Sequence, residues 1–272
     1  MSIQSGFIQK LEQAQDKNHS LVCVGLDPNQ SKIASLGLDL LPWLKGIVDA
    51  TSDHVCAFKP QIAYFAALNA EVELQQIINY IHINYPDIPV ILDAKRGDIG
   101  STAEQYAIEA FERYQADAVT VNPYMGGDTI EPYTSHSEKG VVVLCKTSNA
   151  GSGELQNLKL KNGHTLFQEV AQKASNDWNK NHNVLLVVGA TYPEELAQIR
   201  QTVGNMSLLI PGIGAQGGDV QATLKAGLRA DGKGLIISSS RGIIYAGDNQ
   251  ESYAEAAEQA CVELKKNINQ FR

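Results

Sequence analysis

The sequence predicts a single-domain (β/α)8 TIM barrel over residues 1–272, with one helix ahead of the first strand. Three observations lead there. Eight apolar runs of strand length recur along the chain, and amphipathic helical patterns lie between them. The 272 residues are also close to the about 250 that such a barrel takes as one domain.

The elements follow in order. Phe7, Leu11 and Ala14 mark one face of the leading helix. The apolar runs are 21–26 (LVCVGL), 55–58 (VCAF), 89–92 (PVIL), 118–121 (AVTV), 141–145 (VVVLC), 184–188 (VLLVV), 207–210 (SLLI) and 234–237 (GLII). Their apolarity is continuous rather than alternating, which suits strands covered on both faces of a parallel sheet. Between them, Ala103, Tyr106, Ala107, Ala110, Phe111 and Tyr114 form a helical stripe over 102–114. Leu166, Phe167, Val170, Ala174 and Trp178 form another. Pro193 followed by Glu194 and Glu195 reads as a helix start, since Pro fits the first turn and acids favour the positive end of the dipole. Residues 252–268 read as a closing helix, and the Gly-, Ser- and Asn-rich stretch 147–160 as a long loop after strand five. Strand counting alone leaves an open doubly wound sheet as the alternative.

Composition narrows the partners. Apolar residues make up 43 % and charged residues 19 %, an ordinary globular balance. The net charge of −8 disfavours nucleic acid and anionic membranes, because nothing offsets long-range repulsion from phosphates. No stretch approaches the ~18 apolar residues of a membrane span, and no secretory signal opens the chain. Cys23, Cys56, Cys145 and Cys261 are far apart, without a CxxC pair, so the expectation is a reduced, cytoplasmic protein. The six histidines show neither HxH nor HExxH spacing, so no catalytic metal is expected.

Chemistry in such a barrel collects at the C-terminal ends of the strands. There the runs are followed by Asp27, by Lys59, by Asp93-Ala94-Lys95-Arg96-Gly97-Asp98, by Asn122, by Lys146-Thr147-Ser148-Asn149, and by Ser238-Ser239-Ser240-Arg241. Any one of these fits a solvated loop. Acids and bases converging from strands one, two and three point instead to a site, although a structural salt bridge is the plainer alternative. Asp93 and Lys95 are two apart on a strand, so alternation aims both into the pocket. After strand seven comes GIGAQGG (212–218), whose Gly214 and Gly217 let backbone N–H groups approach an anion. Paired with Arg241, a bidentate anion clamp, this resembles the phosphate site of the seventh and eighth loops; two tight turns are the alternative.

The segment LDAKRGDIGSTAEQYA (92–107) resembles the DxKxxD signature of the orotidine 5′-phosphate decarboxylases, in the DAKRGDI form of the type 2 group. The likeness extends to GLDP (25–28), FKPQ (58–61), NPYMG (122–126), KTSN (146–149), VGAT (188–191), PGIGAQGGD (211–219) and SSSRGI (238–243). The resemblance implies decarboxylation of orotidine 5′-monophosphate to UMP, the final step of pyrimidine nucleotide synthesis, without metal or organic cofactor. It matches Lys59, Asp93, Lys95 and Asp98 to the family's Asp/Lys array, with Lys95 as proton donor. It implies a homodimer in which Asp98 and Thr102 serve the partner's pocket. It matches Asp27 to a ribose-hydroxyl ligand, Ser148 to a pyrimidine contact, and Gln216 with Arg241 to the phosphate gripper. Two rivals stay open at this point. One is a sugar-phosphate enzyme of the same barrel group, which shares DxKxxD but works through a metal-stabilised enediolate. The other is a non-catalytic phosphometabolite-binding barrel.

Overall fold

Val, Ile and Leu runs with no polar face suit the strands of a parallel sheet that is covered on both sides. A computed structural model, which describes residues 6–213 and 219–272, shows this arrangement. Its strands are β1 Val22–Leu26, β2 Ala57–Pro60, β3 Ile91–Arg96, β4 Ala118–Val121, β5 Gly140–Lys146, β6 Val184–Val188, β7 Leu208–Pro211 and β8 Leu235–Ser239. All neighbouring pairs are parallel, in the order β2-β1-β8-β7-β6-β5-β4-β3. Bridges Phe58–Val90 and Gln61–Asp93 bring β2 against β3 and all but close the ring. The fold is the (β/α)8 TIM barrel, not the open sheet.

Two apolar layers result. Cys23, Ala57, Ile91, Ala118, Val142, Leu185, Leu209 and Ile236 fill the barrel interior, one from each strand. Phe7, Ile8 and Leu11 of the leading helix Gly6–Lys17 plug its lower end. The other strand positions, such as Val22, Val24, Val119 and Val141, pack outward against the helices. The four cysteines are buried and unpaired. Among the described residues no helix is long and apolar enough to cross a membrane.

Several elements differ from the sequence reading. Strands β2 and β3 run to Pro60 and Arg96, past the ends of their apolar runs. Apolarity stops where the barrel mouth begins, but the backbone ladder continues with polar side chains. The stripe over 102–114 divides into an α-helix, Gly100–Ile108, and a π turn, Glu109–Arg113. The helices Leu40–Thr51 and Glu71–Asn84 add to those read from the sequence. The stretch after β5 contains short helical turns at Ala150–Ser152 and Gly153–Gln156.

Candidate active site

Inward alternation carries Asp27, Lys59 and Asp93 up from the interior layer toward the C-terminal mouth. Lys59 and Asp93 are buried, and Lys59 Nζ donates to Asp93 Oδ2 at 2.9 Å. Lys95 Nζ donates to the other carboxylate oxygen, Oδ1, at 2.6 Å. Simple strand alternation does not produce this second contact. The β3–β4 register shifts between Leu92 and Arg96, and Lys95 adopts a left-handed φ of +49°. The irregular turn leaves the Lys95 side chain 45 % exposed, reaching over the buried carboxylate toward open space.

The charges stabilise one another. Burial pushes the Asp93 carboxyl up, but the ammonium charges of Lys59 and Lys95 outweigh it and hold the group well below the usual carboxylate range. Burial pulls Lys59 down, yet the charges of Asp93 and then Asp27 raise it above the ordinary lysine value. Asp93 and Lys59 are therefore both ionised throughout the physiological range.

Asp27 is held by its backbone, which leaves its carboxylate uncommitted. Tyr245, in the segment after β8, donates its hydroxyl to the Asp27 carbonyl at 2.9 Å and accepts the Asn29 N–H at 2.6 Å. Its ring stacks on Trp43, with centroids 5.5 Å apart. Asp27 Oδ1, Ser240 Oγ and Thr191 Oγ1 are buried and have no hydrogen-bond partner among the described residues. They follow β1, β8 and β6, so these three atoms stand around the mouth, where a polar ligand would satisfy them.

The other expected residues fall as follows. Asp98 lies in the turn after β3, where its Oδ1 accepts its neighbour Ile99 N–H at 2.8 Å. Among the described residues no ion pair joins Asp98 to Lys95. Thr102 is exposed on the helix Gly100–Ile108. Arg96 grips Glu109 with two hydrogen bonds of 3.0 Å, fastening the end of β3 to the π turn Glu109–Arg113. Arg241 is exposed at the start of the short helix Arg241–Ile244 after β8. Gly214, Gln216 and Gly217 lie outside the described residues. Ser148 packs against the end of β6: a side chain on Gly189 would meet Ser148 Cβ at 2.8 Å and Ser148 N at 2.9 Å. Only glycine permits that approach.

Lys146, grouped by sequence with the strand-end residues, belongs elsewhere. The β5–β6 register shifts between Leu144 and Lys146. Lys146 is buried, 3.0 Å from Asn157 Oδ1, 3.2 Å from Ser152 Oγ and 3.6 Å from Glu195 Oε2. It ties the loop after β5 to the helix Pro193–Val203.

Sequence reasoning missed Tyr245 and Thr120. The Thr120 hydroxyl lies 2.9 Å from Asp93 Oδ1 and from the N–H groups of Ala94 and Lys95. It is the one polar residue in AVTV, a signal that was present in the run. A cavity of about 690 Å³ opens at the opposite end of the barrel, lined by Glu12, Ser207 and Arg229 among others, but Arg229 is already paired with Glu12 at 2.9 Å. At the mouth, by contrast, Asp27 Oδ1, Thr191 Oγ1 and Ser240 Oγ have no partner among the described residues. Among the described residues no group of three or more His, Cys, Asp or Glu is placed to hold a metal ion.

Known proteins resemble this arrangement along its whole length. A model of the "Orotidine 5'-phosphate decarboxylase / HUMPS family" matches residues 20–256. The orotidine 5′-phosphate decarboxylase of Ralstonia pickettii is 56 % identical over 270 residues, covering 98 % of this chain and 99 % of that protein. That of Cellvibrio japonicus is 56 % identical over 272 residues, with the same coverage. The solved structure of Leishmania donovani OMP decarboxylase superimposes with a TM-score of 0.85 at 40 % identity, covering 97 % of this chain and 98 % of that one.

Proposed function

Because the chain belongs to the orotidine 5′-phosphate decarboxylase / HUMPS family and is an enzyme that decarboxylates orotidine 5′-monophosphate to UMP, we propose that the Lys59–Asp93–Lys95 array performs the reaction. The DAKRGDI form of its motif supports placing it in the type 2 group. The observation that carries the mechanism is the half-exposed Lys95 ammonium held 2.6 Å from a buried carboxylate.

Loss of CO2 breaks the bond from C6 to the carboxylate and leaves the electron pair on C6. That pair lies in the plane of the ring, orthogonal to the π system, so delocalisation cannot absorb it. Stabilisation must come from a charge already in place. The Lys95 ammonium supplies it, then transfers a proton to C6 to give UMP, and regains a proton from solvent. Asp93 faces the departing carboxylate; the repulsion between them is relieved as neutral CO2 leaves. Lys59 keeps Asp93 ionised and fixed. Asp27 accepts from a ribose hydroxyl, Ser148 contacts the pyrimidine, and Arg241 with Gln216, Gly214 and Gly217 binds the phosphate. Phosphate binding, remote from C6, orients the ring for the reaction.

We also propose a homodimer with shared sites. Asp98 has no lysine partner within its own chain among the described residues. Beside it Ile99 is 62 % exposed, Tyr124 83 % and Met125 43 %, an apolar face suited to a second copy. Across that face Asp98 and Thr102 enter the neighbouring pocket, where Asp98 orients Lys95. The acidic chain and its unpaired cysteines fit a cytoplasmic enzyme.

The test follows the loss of orotidine 5′-monophosphate absorbance in the presence of a chelator. Turnover to UMP is the expected result. Turnover that requires magnesium would favour the enediolate chemistry of sugar-phosphate relatives, and binding without turnover a non-catalytic barrel.

A further inference from the structure

Thr120 stands inside β4 and is fully buried. Its hydroxyl meets three groups, each at 2.9 Å: Ala94 N–H, Lys95 N–H and Asp93 Oδ1. A hydroxyl has one proton and two lone pairs. Both amides can only donate, so they occupy the lone pairs. The proton then has one outlet, the Asp93 carboxylate. Every bonding capacity of the group is used, and its orientation is settled by elimination.

These bonds fall where the sheet fails. Between Leu92 and Arg96, three residues of β3 stand opposite one of β4, so the regular ladder is broken there. Lys95 takes a left-handed φ of +49°, which an L residue holds only when its surroundings enforce it. The Lys95 amide beside that strained angle is bonded to Thr120 Oγ1. The same oxygen donates to Asp93 Oδ1, the atom that Lys95 Nζ also contacts.

We propose that Thr120 is a positioning residue for decarboxylation: its hydroxyl replaces the missing ladder bonds, enforces the Lys95 turn, and fixes the Asp93 carboxylate against which the Lys95 ammonium is held. The inference rests on the reaction assigned above. Thr120 does not touch the substrate; it acts through Lys95 and Asp93. Its β-branch allows few side-chain rotamers, which suits a group with three simultaneous bonds.

The experiment compares wild type, Thr120→Ser, Thr120→Cys and Thr120→Val in steady-state decarboxylation and in equilibrium binding of UMP. A misplacement of about 1 Å in a reacting group costs about 10²-fold in rate. Thr120→Val is therefore expected to lower kcat by about that factor while UMP affinity stays close to wild type. Thr120→Ser, which keeps the hydroxyl, restores most of kcat. Thr120→Cys, with a weaker donor and acceptor, falls between them and decides the matter if the Val variant does not fold. Wild-type kcat in the Val or Cys variant overturns the inference, as do parallel losses of kcat and UMP affinity. A wild-type enzyme without decarboxylase activity would overturn the assigned reaction and this inference with it, a result visible before any variant is assayed.

Discussion

Lys95 Nζ lies 2.6 Å from Asp93 Oδ1 across a break in the very strand that bears both residues. The contact is short because the backbone turns, not because the strand alternates. A left-handed Lys95 costs on the order of 1–3 kcal/mol, which the surrounding hydrogen bonds must offset. The proposed mechanism accounts for that strain, because in it one ammonium meets a carbanion in a fixed direction.

The charge balance of the array predicts a pH signature in stability. Burial raises the Asp93 carboxyl, but the two lysines hold it well below its ordinary value. A carboxyl depressed in the folded state stabilises above its unfolded pKa of ~3.9, and that contribution is lost as pH falls toward the folded value. Asp93→Asn leaves buried Lys59 unpaired and is expected to cost about 3–5 kcal/mol at pH 7. Urea unfolding of both proteins should show this gap narrowing from pH 5 to pH 3. A gap that is constant or widens over that range contradicts the ionised array.

Subunit mixing tests whether the site is shared, as proposed. Asp98→Ala and Lys95→Ala homodimers should each be nearly inactive. After confirmed exchange, mixed dimers regain one pocket with wild-type Lys95 and Asp98, and activity should return to a fraction set by the heterodimer population. No recovery would mean that Asp98 serves its own chain.

Arg241 is predicted to act on binding of the phosphate. A charge-assisted hydrogen-bonded contact is worth about 1.5–3 kcal/mol, so Arg241→Ala should raise KM for the nucleotide about 10- to 100-fold. Steady-state kinetics that leave KM unchanged would remove Arg241 from the phosphate site.

Gly189 sets the position of Ser148 by leaving room for it. In Gly189→Ala the new methyl would lie 2.8 Å from Ser148 Cβ, so the loop after β5 must retreat. Overpacking of this kind costs about 1–3 kcal/mol. KM should rise and thermal stability fall together. A variant with wild-type KM would show that Ser148 does not need this placement.

The placement of much of the candidate site was legible because barrel chemistry follows a positional rule. Asp27, Lys59 and Asp93 each end an apolar run, and a polar residue at that point is placed at the mouth by strand alternation alone. The rule breaks where strands do. The shift in β3 changes how Lys95 reaches Asp93, and the shift near Lys146 accompanies its burial among Ser152, Asn157 and Glu195. Such irregularities depend on pairing between strands distant in sequence, which residue spacing does not reveal. Tyr245 was invisible for a similar reason: its role is a hydroxyl on a carbonyl 218 residues earlier in the chain. Thr120 left a trace, a lone hydroxyl in an apolar run, but its meaning needed the partner strand.

The proposed protonation of C6 by Lys95 is tested by Lys95→Ala, with turnover and UMP affinity measured on the same preparation. Decarboxylation is expected to fall by several orders of magnitude, with UMP binding still measurable through the proposed ribose and phosphate contacts. Turnover near that of the wild type would contradict it.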